Sequence, residues 1–292
     1  MFDLLIRGGS IATARSLDRK SLGVAGGRIA AILDPGDPAM AAETVDASGK
    51  IILPGLVDAH VHFREPGLVH KEGFASGGRA AAAGGVTTVM VMPTDDPMTT
   101  TPDLFVEKKE LAAGNCHVDY ALQAGLGLDT RHVRALADLG AISFEVFMAD
   151  LAPPMLVEHT NELLACLAAV RDVAGVVGLT PGDDSIVQPL AAAMRAADPT
   201  DRRAFARSRP PLAEAMGVAR ACIAVGDIGV HAHIRQVSCA ASIAVLRALR
   251  PRTLSAEVTP HNLLLDEDEL LRQGPFAKVV PPLLSPADLE AA

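Results

Sequence analysis

Two regimes of apolar and polar patterning divide this chain near residue 53. Up to that point short apolar runs at 4–7, 22–25, 28–32 and 50–53 alternate with turn residues. Runs of that length predict β-strands, and Gly26-Gly27 predicts a hairpin between two of them. So small a meander is only marginally able to bury its apolar face. From residue 54 onward strand-like and helix-like runs alternate. Strand patterns fall near 56–60, 87–92, 117–121, 142–148, 175–180, 230–237 and 253–258. Helical patterns between them include 71–83, 101–113, 130–139, 157–173 and 213–225. Such alternation predicts parallel strands joined by crossover helices, in an α/β barrel or a doubly wound sheet. Seven runs of this second kind are found, and no run remains for an eighth.

Composition narrows the picture. The 292 residues are 49% hydrophobic but only 3% aromatic, with no Trp and one Tyr. The core must therefore be built from Ala, Leu and Val, which suits helices packed closely on parallel strands. A net charge of −9 without a basic stripe argues against a nucleic-acid partner. Cys116, Cys166, Cys222 and Cys239 are widely spaced, which predicts reduced buried thiols rather than a disulfide framework or zinc knuckle. The N-terminal Met-Phe-Asp-Leu-Leu-Ile-Arg is too short and polar for a signal peptide. No apolar run reaches the ~18 residues of a membrane span, and a cytoplasmic location is expected.

The chemistry concentrates in Asp58-Ala59-His60-Val61-His62-Phe63-Arg64-Glu65-Pro66-Gly67. Alternate residues of a strand share a face, so His60 and His62 point the same way and Arg64 follows them. Two imidazoles on one face can hold a divalent metal, and a guanidinium beside them can grip a carboxylate. A pair of hydrogen-bonded core histidines is the competing reading.

This segment resembles the first barrel strand of dihydroorotases in the amidohydrolase superfamily, Arg64 favouring them over hydantoinases and allantoinases. The resemblance continues through Gly84-Gly85-Val86-Thr87-Thr88-Val89, Met92-Pro93-Thr94, Ser143-Phe144-Glu145-Val146-Phe147-Met148, Arg209-Pro210-Pro211, Glu257-Val258-Thr259-Pro260-His261 and Lys278-Val279-Val280-Pro281-Pro282-Leu283. It implies a TIM-like (β/α) barrel over residues 54–292, here lacking its last strand. Residues 1–53 would form half of a composite β-domain that strands from the chain's end complete. Ser285-Pro286-Ala287-Asp288 reads as a capped helix start with few residues after it. A closed barrel needs ~250 residues, so truncation is expected in preference to a short frayed tail.

The resemblance also implies a metal centre, and the residues match it unevenly. His60 and His62 occupy two ligand positions. Glu145 stands where a carboxylated lysine would bridge two metals; it is shorter by roughly 3–4 Å. Glu145 therefore reads either as a ligand of one metal or as a buried acid paired with Arg or His. Thr180 and Gln236 replace two ligand histidines with neutral groups, poor partners for zinc. Asp183 or Asp184 could substitute, although loop acids after a glycine usually form turns. His231 and His233 sit at odd spacing from Gln236 and are expected to face away from it. The strand-eight Asp that would move the proton lies beyond the chain's last residue. One Zn2+ at most is expected.

In the substrate shell Arg64 matches the carboxylate grip, Thr94 replaces an Asn, and His261 reads as either pocket-lining or structural. Three functions follow from the resemblance. The expected one is a dihydroorotase-like cyclic-amide hydrolase homologue, impaired or non-catalytic, serving as a scaffold for aspartate transcarbamoylase in pyrimidine biosynthesis. The alternative is an active metal-dependent dihydroorotase or related cyclic amidohydrolase. A third is a remnant whose open strand edges favour association. Expected partners are a small cyclic-amide or carboxylate ligand, and either a second copy of the chain or the transcarbamoylase.

Overall fold

The structure, a computed structural model, describes residues 1–291. It divides into a unit from Met1 to Leu56 and a second from Val57 onward. The first holds β1 (Phe2–Arg7), β2 (Ser10–Ala12), β3 (Leu17–Arg19), β4 (Ser21–Ala25), β5 (Arg28–Leu33), β6 (Ala41–Asp46) and β7 (Ile51–Ile52). One sheet runs β5-β4-β1-β6 and the other β3-β2-β7. The predicted hairpin joins β4 to β5, and Gly26 and Gly27 turn it with φ of 57° and 71°. Positive φ at both positions is the type I′ geometry that glycine reaches without strain. The pattern did not reveal β2, β3 or β6, whose residues are all exposed or only partly buried.

The second unit is parallel α/β. Its strands are β8 (Leu56–Val61), β9 (Val86–Val91), β10 (Asp119–Leu122), β11 (Ala124–Gly125), β12 (Phe144–Phe147), β13 (Val176–Thr180), β14 (His231–Ile234) and β15 (Leu254–Ala256). Their order is β8-β9-β10 in one segment and β11-β12-β13-β14-β15 in the other. Residue 123 alone separates β10 from β11; its amide donates to Val91 O, and Ala124 N donates to Ser143 O. The two segments are thus successive parts of one seven-strand succession, at the seven places the pattern predicts. Among the described residues β8 pairs only with β9, and β15 only with β14.

The crossover helices are α1 (Phe74–Ala83), α2 (Pro102–Ala112), α3 (Val133–Asp138), α4 (Thr160–Arg171), α5 (Asp184–Ala197), α6 (Ala204–Arg207), α7 (Pro211–Ile228) and α8 (Ala240–Leu249). Short α9 (Pro260–Leu264), α10 (Asp268–Gln273) and α11 (Pro286–Ala291) follow β15. Local chemistry sets their ends. Thr101 Oγ1 caps α2 with Pro102 at its first position, and Gly229 in the left-handed region closes α7.

Alternation along the central strands separates two environments. Phe144 and Val146 of β12, Val177 and Leu179 of β13, and Ala232 and Ile234 of β14 join the apolar core with Leu163, Leu167 and Val170 of α4 and Val218 and Val225 of α7. The intervening residues, Glu145, Gly178 and His233, lie in register across the same three strands on the opposite face. Burying the apolar side under helices therefore forces a polar layer into the sheet's other face.

Candidate functional site

Arg235, one residue past β14, organises that polar layer. Its side chain is 4% exposed, and its donors reach four separate parts of the sheet. Nε donates to Glu145 Oε2 at 3.1 Å, and Nη1 to Ala59 O at 3.2 Å and Glu257 Oε2 at 3.4 Å. Nη2 donates to Gln123 Oε1. The second oxygen of Glu145 accepts from Thr180 Oγ1 at 2.8 Å. Burial pushes the Glu145 carboxyl up, while the charge of Arg235 and the Thr180 bond oppose that shift. Gln123 is itself fully buried and accepts from Ser143 Oγ at 2.6 Å.

Glu257 forms the other pole. His60 Nδ1 bonds to its Oε1, and His233 Nε2 lies 2.9 Å from Oε2. Ser255 Oγ, 2.7 Å from His233 Nδ1, fixes the far side of that ring. Burial alone would raise the Glu257 carboxyl. Hydrogen bonds from His233 and His60, with the charges of His60 and Arg235, outweigh burial and hold it well below the usual carboxylate range.

His62 and Arg64 face a neighbouring group. His62 Nδ1 shares a 2.6 Å hydrogen bond with Thr94 Oγ1, and Arg64 Nη1 donates to Thr94 O at 2.7 Å. Burial, then the charges of Arg64 and His60, push the His62 imidazole down to about 3, so it is neutral. Behind Thr94 lies a buried ion pair that sequence reasoning missed. Lys108 Nζ of α2 bonds to Asp95 Oδ2 at 2.6 Å and to Met92 O at 2.7 Å, tying the helix to the turn that carries Thr94.

The remaining candidates are scattered. Gln236 has φ of 50°, a left-handed conformation that ends the strand alternation, and its Nε2 donates to Val280 O. The expected parity is therefore reversed: His233 and Arg235 enter the layer and Gln236 does not. His231 is exposed at the start of β14. Asp183 caps α5 through Ser185 N, and Asp184 accepts from Asp150 N and Gln188 Nε2. Both acids are structural. His261 lies in α9, its Nε2 buried without a hydrogen-bond partner, and burial lowers its imidazole. A cleft lined by Asp150, Thr180, Arg209, Arg235, Gln236 and Val280 opens beside the centre but includes neither His60, His62 nor Arg64.

Residues 51–177 match the amidohydrolase family. An allantoinase of Rubrobacter xylanophilus is 35% identical over 298 residues, covering 99% of this chain and 64% of that protein. A dihydroorotase of Halobacterium salinarum is 36% identical over 252 residues, covering 85% and 57%. The likeness throughout is to the amidohydrolase family. The solved L-hydantoinase of Arthrobacter aurescens superimposes on this chain with a TM-score of 0.92 at 29% identity, covering 100% of this chain and 66% of the other. The chain thus spans 64% of the length of the allantoinases and 57% of that of the dihydroorotase. Relatives named for three activities match it at similar identity, so the likeness is to the cyclic-amide group and not to dihydroorotases alone.

The superfamily resemblance implies a divalent metal, and the donors of this chain do not fit one. Among the described residues no three His, Cys, Asp or Glu groups are arranged to hold an ion. Both oxygens of Glu145 are engaged, one by a guanidinium, and a metal sharing that carboxylate would lie beside a fixed positive charge. Thr180 offers a neutral hydroxyl, and Gln236 bonds elsewhere.

The Glu145–Arg235 pair depends on a residue without a side chain. A Cβ at Gly178 would lie 2.0 Å from Glu145 Oε2 and 3.1 Å from Arg235 Nε. Gly178→Ala is expected to cost about 1–3 kcal/mol, the range for overpacking a filled interior. Urea denaturation checks this; a change within about 0.5 kcal/mol, the scatter of ordinary surface substitutions, would show that the pair readily moves aside.

Proposed function

We propose that this chain is a cyclic-amidohydrolase homologue that binds a small cyclic-amide or carboxylate ligand at Arg64 without hydrolysing it. The observation that carries the reading is the state of Arg64. Its half-buried guanidinium is anchored through Nη1 alone, and among the described residues Nε and Nη2 make no protein hydrogen bond. That leaves one edge of the fork open for a carboxylate, in the bidentate geometry that makes such contacts strong. Neutral His62 lies beside it. The hydrolytic part of the machinery has no matching support, because Glu145 and Glu257 are both committed to protein cations and neither is placed as a free general base. We read the seven successive parallel strands as part of a (β/α) barrel, a reading supported by Arg235 reaching β8, β12 and the residue 123 junction at once.

The named activities of the relatives favour a second reading, an active cyclic amidohydrolase. Dihydroorotate, hydantoin and allantoin separate the two when offered as ligands and as substrates. Binding of dihydroorotate, seen by calorimetry and weakened about tenfold or more in Arg64→Ala, is expected, with no ring opening of any of the three. Turnover that disappears in His60→Ala would establish the second reading instead.

A further inference from the structure

We propose that Arg235 is a resident cation that takes the place of a divalent metal, and that it keeps the centre closed to zinc. This rests on the reading that the centre does not hydrolyse its ligand, but it is tested by metal uptake and not by turnover or ligand binding.

Three observations converge on it. First, the guanidinium bridges the two carboxylates of the centre, Glu145 on β12 and Glu257 after β15, as a metal between strand ends would. One planar group with five donors satisfies Glu145, Glu257, Gln123 and the Ala59 carbonyl together, at four places around the sheet. Second, the space is shaped for this pair. Gly178 is the residue over which Glu145 and Arg235 meet, and any side chain there would strike both. Third, the imidazoles are already oriented by other partners. His60 is held by Glu257 and His62 by Thr94, so the ring pair is fixed without an ion, its centroids 5.2 Å apart.

The physical consequence is a charge exclusion. A dication approaching His60, His62 and Glu145 meets the buried guanidinium of Arg235, in surroundings where charges are weakly screened. Glu145 cannot serve both cations without giving up one of its bonds. Taking the guanidinium away should release Glu145 and Glu257 to turn toward the two histidines, and carboxylates and imidazoles are donor types that zinc accepts.

The test is zinc and cobalt(II) uptake by chelator-treated full-length protein, measured by elemental analysis, calorimetry and the visible spectrum of bound cobalt. Wild-type protein is expected to bind neither ion stoichiometrically. Arg235→Ala and Arg235→His are expected to bind one zinc per chain, at least about 100-fold more tightly than wild type. Arg235→Lys, which keeps the charge, is expected to stay closed. If Arg235→Ala does not fold, Arg235→His answers in its place, because its imidazole is itself a ligand and added zinc should raise its Tm. Stoichiometric zinc in wild-type protein, lost in His60→Ala, overturns the proposal whatever the variants do. So does a folded Arg235→His that takes up no zinc.

Discussion

Glu145→Ala is expected to lower the stability of this chain by about 3–5 kcal/mol, the cost of removing one partner from a buried ion pair. Glu145 is 0% and Arg235 4% exposed, so the guanidinium left behind has no water to replace its partner. Thr180 loses its acceptor in the same step. Glu145→Gln should cost less, because an amide oxygen still accepts from Arg235 although the charge is gone. The combination of Glu145→Leu with Arg235→Met should recover much of the loss, since an apolar pair of similar volume often matches a buried ion pair in stability. Recovery will be incomplete, because Gln123 and Glu257 also lose a donor. Urea denaturation of wild type, Glu145→Leu, Arg235→Met and the double variant closes the cycle and yields the coupling energy. If Glu145→Ala falls within about 1 kcal/mol of wild type, within the ordinary spread of point mutants, Arg235 is not held as described here.

Lys108→Ala is expected to have an effect of comparable size, also about 3–5 kcal/mol at neutral pH. Asp95 is almost wholly buried with its Oδ1 unpartnered among the described residues, and Lys108 Nζ is its one ion-pair partner among them. Burial pushes the Asp95 carboxyl up; the charge and hydrogen bond of Lys108 and the bond from Thr99 pull against it. Without Lys108 the upward shift should grow. A carboxyl whose folded pKa exceeds its unfolded value binds more protons in the native state, so its stability contribution is lost as pH rises. The deficit of Lys108→Ala relative to wild type should therefore shrink as pH falls from neutral toward the ordinary carboxylate range. Denaturation at pH 8, 7, 6 and 5 tests the sign. A deficit that stays constant or widens on acidification would mean that Asp95 is not the group left uncompensated. Because the pair ties α2 to the turn carrying Thr94, the same variant should also weaken ligand binding at Arg64.

Much of the site was legible from local pattern, and the rest failed for identifiable reasons. His60, His62 and Arg64 can be placed near one another because strand alternation follows directly from backbone geometry; in the structure His62 and Arg64 both meet Thr94, while His60 bonds to Glu257. The two readings of Glu145 could not be separated in advance, because pairing with an arginine ninety residues later carries no local signal. Arg235 and His233 were passed over because strand parity was counted from Gln236, whose left-handed backbone ends the alternation there. A non-glycine residue at positive φ is rarely foreseeable from its neighbours. Glu257 stands in the Glu-Val-Thr-Pro-His stretch, yet its charge gains a meaning only when β8 and β14 bring His60 and His233 to its two oxygens. Lys108 read as an ordinary polar residue of a helix; its complete burial follows from how α2 lies against the β9 turn.

By itself the sequence determined the elements and their parallel alternation, because periodicities of 2.0 and 3.6 are properties of the backbone and of which faces must leave water. It also determined the superfamily likeness and the paired histidines with their arginine, since these lie within a few residues of one another. Only the tertiary structure decided which charges neutralise which. Arg235 draws on partners spread from Ala59 to Glu257, and no short-range rule connects them. Glu145 and Arg235 are buried on the polar face of the sheet, so each charge there must find its counterpart across the fold, and in this chain an arginine is that counterpart.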